Sequence, residues 1–245
     1  MSKEFYSFLE NTKDQKKAFF NETNRVIART IDLSGFLVGD AAPILREHNN
    51  GKILEVDNFL SSEEVTLFIE RIQQQPWSKM VYKPTLTSTT KEDGGYCVRW
   101  YDIDLSKRLW DRVKANLIIS KEGFTAVGMN PFMRVHTQGD GNFLKPHVDT
   151  DLAYQFSNKY TTQKSILIYF TDNTSGALSF IDTTTIDEET DKYLNKDYVG
   201  TYGRLNIFPS KGKLLVFNSE LLHCVTQIIG ETRISLVSEI VYSKD

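Results

Sequence analysis

A histidine and an aspartate stand two residues apart in the segment GNFLKPHVDTD, residues 141–151. If this segment is extended, side chains alternate between its faces, so His147 and Asp149 project to the same side, about 6.5–7 Å apart along the backbone. An imidazole and a carboxylate at that separation can bind one metal ion. The spacing alone is weakly specific, because such a pair arises by chance in roughly a quarter of chains with this composition.

A third metal ligand is available in SELLHCVTQ, where His223 follows the apolar run KLLVF. Two histidines and one carboxylate form the facial triad of non-haem Fe(II) oxygenases, which leaves coordination positions open for substrates. Ten residues further on, Arg233 lies in the strand-like run TRISLVSEIVY, and its guanidinium could bind a carboxylate with two hydrogen bonds. Ser235 faces the same way and could donate another. The order of these residues along the chain is more specific than any one of them.

These residues lie in segments that resemble the prolyl 4-hydroxylase-like branch of the 2-oxoglutarate- and Fe(II)-dependent dioxygenases. The resemblance covers roughly residues 52–243 and is carried by ILEVDNFLSSEEVTLFI, CVRWYDIDLSKRLWDRVK, GMNPFMRVHTQGDGNFLKPHVDTD and PSKGKLLVFNSELLHCVTQIIGETRISLVSEIVY. It implies that His147, Asp149 and His223 bind Fe(II) and that Arg233 binds the C5 carboxylate of 2-oxoglutarate. It also implies that O2 is consumed, that succinate and CO2 are released, and that ascorbate serves as the reductant.

The sequence departs from the family's pattern around the cosubstrate. Tyr169, in SILIYFTD, stands where the family often has a tyrosine near 2-oxoglutarate, although packing inside the barrel explains an aromatic residue equally well. The family commonly has a second tyrosine nine or ten residues before the first histidine ligand, where this chain has Gln138 and Thr137. Gln138 could donate a hydrogen bond instead, and His136 lies on the same strand face. A double glycine is reduced to Gly176, and the collagen-type enzymes have a lysine at the position of the cosubstrate arginine.

Short β-branched and aromatic runs dominate the chain beyond residue 130, namely PFMRVH, SILIYF, GALSFI, KLLVF and RISLVSEIVY. Two helices precede them. Ser61 and Glu64 have the spacing of a capping box before the first, and the second begins near Asp104 with apolar residues four apart. Helices followed by five or more strands predict helices packed on a jelly roll or a barrel, and the resemblance implies the first. We therefore expect an α+β, mainly β fold, with a double-stranded β-helix (jelly-roll/cupin-like) core and supporting N-terminal helices.

Two regions are expected along the chain. Residues 1–50 are charged and predict a helical N-terminal extension, and residues 51–245 predict the dioxygenase domain. The weak helical pattern of the extension passes through Phe5, Leu9, Phe19 and Val26. The polar segments 82–96 and 182–204 are long enough to form loops over a substrate.

Composition and charge exclude several classes of protein. The chain has 245 residues, 40% of them hydrophobic, and a net charge of -3, which argues against a general nucleic-acid binder. Cys97 and Cys224 are too few for a disulfide framework. The sequence has neither the apolar core of a signal peptide nor a run of roughly 18 apolar residues, so we expect a cytoplasmic protein without a membrane partner. Oligomeric state is not indicated.

The substrate is the least determined feature. The resemblance favours hydroxylation of a C–H bond in a prolyl residue, so the expected partner is a protein or peptide. The same iron core serves oxygenases of small molecules and nucleobases. A jelly-roll binding module without turnover and a zinc hydrolase with the same ligands are further alternatives. The intact triad argues against the first, and no general-base glutamate near the metal pair supports the second. Trp100, Tyr101 and Arg134 could line a pocket, although packing or surface positions explain them at least as well.

Overall fold

A computed structural model describes residues 2–12, 31–33, 35–37, 42–81, 93–116, 120–121, 123–149, 156–181 and 203–244. Within these residues the helices are α1 (Ser2–Asn11), α2 (Ser62–Gln73) and α3 (Ile103–Asn116). The strands are β1 (Ile44–His48), β2 (Ile53–Asp57), β3 (Ser78–Val81), β4 (Asp93–Tyr101), β5 (Ser120–Lys121), β6 (Phe124–Met129), β7 (Phe132–Gln138), β8 (Leu144–His147), β9 (Tyr160–Tyr169), β10 (Leu178–Ile181), β11 (Gly203–Ile207), β12 (Leu214–Asn218), β13 (His223–Val225) and β14 (Arg233–Lys244).

Two antiparallel sheets form the body of the protein. The larger has the order β1-β2-β12-β9-β14-β7-β4-β3, with β6 paired to β14 and β5 paired to β6; the smaller has the order β11-β10-β13-β8. Apolar side chains of both sheets share one buried cluster, in which Leu167 and Phe217 come from the larger sheet and Phe180 and Val225 from the smaller. Two facing antiparallel sheets with helices outside them are a jelly-roll core, and the predicted fold class is confirmed.

The predicted capping box at the start of α2 is present. Ser61 Oγ accepts a hydrogen bond from Glu64 N at 3.3 Å, and the Glu64 carboxylate accepts one from Ser61 N at 2.9 Å. The Glu64 carboxylate also accepts hydrogen bonds from both terminal nitrogens of Arg112, on α3, at 2.7 and 2.8 Å. One carboxylate therefore caps the N-terminus of α2 and also links α2 to α3.

The apolar stripe predicted on the second helix is buried in α3. Leu105, Leu109 and Val113 are all fully covered. Leu117, the next residue of that stripe, lies outside the described residues.

Helix α1 packs into the same core as the larger sheet. Phe5 is buried against Phe156 and Tyr160, with ring centroids 5.7 and 5.2 Å away. The Tyr6 hydroxyl donates to the carbonyl oxygen of Ser106 and accepts from Met129 N, both at 3.1 Å.

Further along the predicted extension, β1 continues the larger sheet by pairing with β2. Phe19 and Val26 lie outside the described residues. The division of the chain at residue 50 stays a prediction.

The sequence patterns missed several strands that precede residue 130. The segment YCVRWY, expected to lead into the second helix, is the end of β4, which pairs with β7. From Cys97 to Trp100 both faces of β4 are buried, so these residues lack the alternation that marks a half-buried strand. The polar segment 82–96 was predicted too long, since residues 93–96 belong to β4, and residues 203–204 of the second segment begin β11. The remainder of both segments lies outside the described residues.

Candidate metal centre

His147, Asp149 and His223 are brought together at the ends of two neighbouring strands. His147 is the last residue of β8, and it stands opposite His223, the first residue of β13, in the antiparallel register. One donor atom from each of the three side chains lies within 4.8 Å of the other two. The Asp149 carboxylate oxygens are 3.7 Å from His147 Nε2 and 3.8 Å from His223 Nε2. The three donors thus converge on a volume that one metal ion could fill.

Both imidazoles are oriented by their own backbone. Nδ1 of His147 is 2.8 Å from the carbonyl oxygen of Lys145, and Nδ1 of His223 is 2.8 Å from that of Leu221. A carbonyl can only accept, so Nδ1 carries the proton in each ring and Nε2 keeps its lone pair. This pattern is typical of metal-binding histidines, in which one ring nitrogen is held while the other faces the ion.

The third donor, Asp149, is fixed by two serines. Ser165 Oγ, buried in β9, donates to Asp149 Oδ2 at 2.5 Å and lies 3.1 Å from Ser219 Oγ. The backbone N–H of Asp149 donates to the Ser219 carbonyl at 2.8 Å. These bonds hold the carboxylate so that Oδ1 faces His147 Nε2 and Oδ2 faces His223 Nε2. Neither serine was predicted as a site residue, although Ser165 shares a strand face with Tyr169 and could have been found from that alternation.

The electrostatics of the site favour a neutral His223. Burial and the neighbouring charge of His147 together lower the pKa of His223 to about 4. The carboxylate of Asp149 opposes this shift but does not outweigh it. His223 is therefore an unprotonated nitrogen donor at neutral pH, as metal binding requires.

A cavity of about 330 Å³ opens beside the three donors. Its apolar walls come from both sheets and include Leu144, Leu167, Leu178, Val225 and Val237. Its polar lining consists of Arg99, Arg134, His136, Arg233 and Ser235, in addition to the three donors. A concave, mostly apolar site with a few convergent polar groups is the usual form of a ligand pocket.

Arg233 forms one end of this cavity and is only 2% exposed. Its Nη1 donates to Gln138 Oε1 at 2.5 Å and to Ser235 Oγ at 3.4 Å, and its Nη2 donates to the Tyr169 hydroxyl at 3.4 Å. Gln138 therefore acts as an acceptor for the arginine rather than as the donor that the sequence suggested. Tyr169 and Gln138 lie behind Arg233, outside the cavity wall, whereas His136 lies in the wall itself.

Buried donors at this end lack acceptors. Nε of Arg233 and Nε2 of Gln138 are buried, and neither has a hydrogen-bond partner among the described residues. A buried guanidinium whose hydrogen-bond partners among the described residues are all neutral is costly unless an anion balances it. The donor set is therefore suited to a dianionic guest such as 2-oxoglutarate, and two imidazoles with one carboxylate are suited to Fe(II).

Gly176 allows the backbone to lie close to Ile228, beside the arginine. Its φ is +66°, and a Cβ there would lie 2.5 Å from Ile228 Cγ1 and 3.6 Å from Arg233 Cδ. A larger residue would clash with Ile228 and would be strained at this positive φ. Of the double glycine that the family commonly has, this chain keeps Gly176, whose positive φ favours glycine.

A second charged cluster lines the cavity beyond Asp149. Arg134 makes an ion pair with the buried Glu239, which also accepts from Asn130 Nδ2 at 2.6 Å. Burial alone would lower the pKa of Arg134, but the Glu239 and Asp149 carboxylates outweigh it and raise that pKa. Arg99 stands directly opposite Arg134 in the β4–β7 register and also lines the cavity. Two guanidiniums thus share this wall.

Of the three residues suggested as pocket lining, the structure places only Arg134 in the cavity wall. Trp100 is buried among the apolar residues of the core, and Tyr101 packs against Phe132 with ring centroids 4.8 Å apart. Arg99, which was not predicted, takes a place in the wall instead. Alternation along β4 explains why Trp100 is not in the wall, because the side chains of positions 99 and 100 point to opposite faces. Tyr101 shares the face of Arg99 but packs against Phe132.

Comparison with known proteins links these strands to one family. Residues 132–238 match the model of the 2OG-Fe(II) oxygenase superfamily. That range contains the three metal-donor residues and Arg233. The match confirms the resemblance predicted from the sequence. No curated protein matches the chain.

Solved structures of the same fold are distant in sequence. A 2OG-Fe(II) oxygenase family oxidoreductase from Burkholderia pseudomallei is 12% identical, with a TM-score of 0.51, covering 79% of this chain and 86% of that one. A viral collagen prolyl hydroxylase from Paramecium Bursaria Chlorella virus-1, in a 2OG complex, is 13% identical with a TM-score of 0.43, covering 78% and 96%. HygX from Streptomyces hygroscopicus, with nickel, 2-oxoglutarate and hygromycin B bound, is 14% identical with a TM-score of 0.48, covering 78% and 82%. At these identities the likeness concerns the fold.

Proposed function

With the 2OG-Fe(II) oxygenase superfamily matched over residues 132–238, we propose that this chain is an Fe(II)- and 2-oxoglutarate-dependent dioxygenase that hydroxylates a C–H bond. One observation carries this function: two imidazoles with free Nε2 atoms and a serine-held carboxylate converge within 4.8 Å in a cavity that ends at a buried arginine. When bound, Fe(II) and 2-oxoglutarate supply the oxidising chemistry, in which O2 converts the cosubstrate to succinate and CO2 and hydroxylates the substrate.

Each protein group then has a role in positioning. His147, Asp149 and His223 hold the iron, and Ser165 holds the carboxylate in its binding orientation. Arg233, with Ser235 beside it, binds the C5 carboxylate of 2-oxoglutarate. No side chain has to act as a nucleophile or a general base.

Two side chains outside the cavity wall fix the position of Arg233. Gln138 and Tyr169 hold its guanidinium from behind. Leu167, Leu178 and Val225 form apolar walls that exclude water from the reacting atoms.

We propose a prolyl residue of a protein or peptide as the substrate, with ascorbate as the reductant of the iron. The proline preference is supported by the resemblance of the sequence segments to the prolyl 4-hydroxylase-like branch. Among the described residues, no helix is long and apolar enough to cross a membrane.

The test of the activity class is anaerobic. Addition of Fe(II) and 2-oxoglutarate should produce a visible charge-transfer band, which His147→Ala abolishes. His48→Gln is the matched control, because His48 is paired with Glu55 at 2.9 Å and lies outside the metal site. A protein that shows no band, or a His147→Ala variant that behaves like the wild type, would exclude the function.

Turnover and substrate are tested next. Proline-containing peptides incubated with Fe(II), 2-oxoglutarate, ascorbate and O2 should gain one oxygen on proline and release succinate in equal amount. Oxygen gain on another residue would correct the substrate and leave the class intact. A band without succinate release from peptides, small acids or cell extract would favour a binding module without turnover.

A further inference from the structure

Gln138 forms the shortest hydrogen bond that the described residues make to Arg233. It is fully buried on β7, directly opposite Arg233 in the β7–β14 register, and its Oε1 accepts from Arg233 Nη1 at 2.5 Å. A guanidinium can only donate hydrogen bonds, so the amide oxygen must face it and the amide nitrogen must face away. That nitrogen, Nε2, is buried and has no hydrogen-bond partner among the described residues. Gln138 therefore serves Arg233 and leaves one of its own polar atoms unsatisfied.

The other described partners of Arg233 are uncharged as well. They are the Ser235 and Tyr169 hydroxyls, both at 3.4 Å, and the face of the Tyr169 ring, whose centroid lies 5.1 Å from Arg233 Cζ. Hydroxyls and an aromatic face stabilise a cation only in part. In the part of the chain that the structure describes, the guanidinium is thus buried without a hydrogen-bonded carboxylate, which is unfavourable for the protein without a ligand.

A glutamate at position 138 would suit the folded protein better than the glutamine does. The two side chains have the same shape, and a carboxylate would pair with the buried guanidinium through a charge-assisted hydrogen bond. It would also carry no N–H group that needs an acceptor. Such a pair would neutralise Arg233, however, and a ligand carboxylate would have to compete with it. The neutral amide orients the guanidinium and leaves its charge for the ligand.

We propose that Gln138 is a positioning residue that gives the site its preference for a dicarboxylate cosubstrate. It acts through Arg233. Its amide oxygen fixes Nη1, and its lack of charge makes the far carboxylate of the cosubstrate the anion that balances the arginine. This role rests on the proposed function, in which Arg233 binds the C5 carboxylate of 2-oxoglutarate. We expect cosubstrate affinity and protein stability to be opposed at this position.

The test replaces Gln138 by glutamate and measures the binding of two oxo acids. 2-Oxovalerate has the carbon chain of 2-oxoglutarate but lacks the C5 carboxylate, so it cannot form the ion pair with Arg233. Dissociation constants are measured by anaerobic calorimetry on the Mn(II)-loaded protein. The wild type should prefer 2-oxoglutarate by at least about tenfold. Gln138→Glu should weaken 2-oxoglutarate about 10- to 100-fold and leave 2-oxovalerate nearly unchanged, because only the first competes for the guanidinium.

A second measurement needs neither metal nor cosubstrate. In urea unfolding of the metal-free protein, Gln138→Glu should raise the midpoint, because the new carboxylate balances a buried charge. Gln138→Leu should lower both the midpoint and the affinity for 2-oxoglutarate, since it removes the acceptor of Nη1 and adds no charge. Gln73→Glu, at an exposed position on α2, is the matched control for an added carboxylate and should preserve the affinity for both oxo acids.

The outcomes separate the role of Gln138 from the proposed function. Absence of the anaerobic Fe(II)–2-oxoglutarate band from the wild type would overturn both. If the band forms, the role of Gln138 alone is overturned when the wild type does not prefer the dicarboxylate, when Gln138→Glu keeps the wild-type affinity for 2-oxoglutarate, or when both oxo acids are weakened equally. A Gln138→Glu protein whose urea midpoint is not raised, or that does not fold, would also overturn it, because the carboxylate would then not balance Arg233.

Discussion

Replacement of Ser165 by alanine should weaken metal binding without unfolding the protein. Its hydroxyl donates to Asp149 Oδ2 at 2.5 Å from a position that is 1% exposed, so the hydroxyl itself is shielded from solvent. A hydrogen bond to a charged group contributes about 1.5–3 kcal/mol. If all of this free energy serves to hold the carboxylate towards the two imidazoles, loss of the hydrogen bond weakens metal binding about 10- to 100-fold. This is the range found for residues that orient metal ligands. An anaerobic titration with Fe(II), or with Mn(II) as a substitute, measures this.

Ser238→Ala is the matched control for this experiment. Ser238 is equally buried and donates to the carbonyl oxygen of Asn130 at 2.9 Å, but it touches no metal donor. Its removal should lower the free energy of unfolding by about 1 kcal/mol and leave metal affinity unchanged. The reasoning fails if Ser165→Ala binds the metal as tightly as the wild type, or if both serine variants weaken binding equally.

Three further results are expected. Arg233→Gln should raise the 2-oxoglutarate concentration that gives a half-maximal charge-transfer band about 10- to 100-fold, since a charge-assisted contact is lost. Arg233→Lys should restore part of the lost affinity. The pKa of Glu231 is lowered to about 2 by hydrogen bonds from the Thr174 and Ser175 segment, so its stabilising contribution is full above pH 4.5 and is lost as the pH falls towards 2. Urea midpoints of Glu231→Gln should therefore depend less on pH in that window than those of the wild type. Tyr6→Phe leaves the buried Met129 N–H without its acceptor and should cost about 1–3 kcal/mol in urea unfolding.

Local patterns were sufficient for the parts of the fold that are set by neighbours in sequence. The capping box at Ser61 and Glu64 depends on two residues three apart, and the apolar stripe of α3 depends on helical spacing. The order of HxD, distal histidine and arginine was also readable, because it depends only on residue types and their spacing along the chain. Strands β9, β12 and β14 were found for the same reason.

The pairing of strands that are far apart in sequence could not be predicted from those patterns. Arg99 lines the cavity because β4 pairs with β7 in a register that places it opposite Arg134, and nothing in the sequence around either residue fixes that register. Glu239, which balances Arg134, is 105 residues away from it. The contacts of Tyr6 with Ser106 and Met129 are similarly distant in sequence. An amphipathic helix can be predicted from its own residues, but the surface that it covers cannot.

The position of β14 in the larger sheet has a consequence for how the site is made. This strand lies between β9 and β7, and it is the last of the described strands to leave the ribosome. A nascent chain that ends before residue 233 holds all three metal donors but lacks the strand that joins the two halves of the sheet.

Because most partners of β14 are far away in sequence, closure of the barrel is expected to be the slow step of folding. Arg233, the first residue of that strand, then enters the cavity as the barrel closes. Competence to bind the cosubstrate therefore reports that the whole sheet has assembled, and 2-oxoglutarate binding can be used as a probe of completed folding.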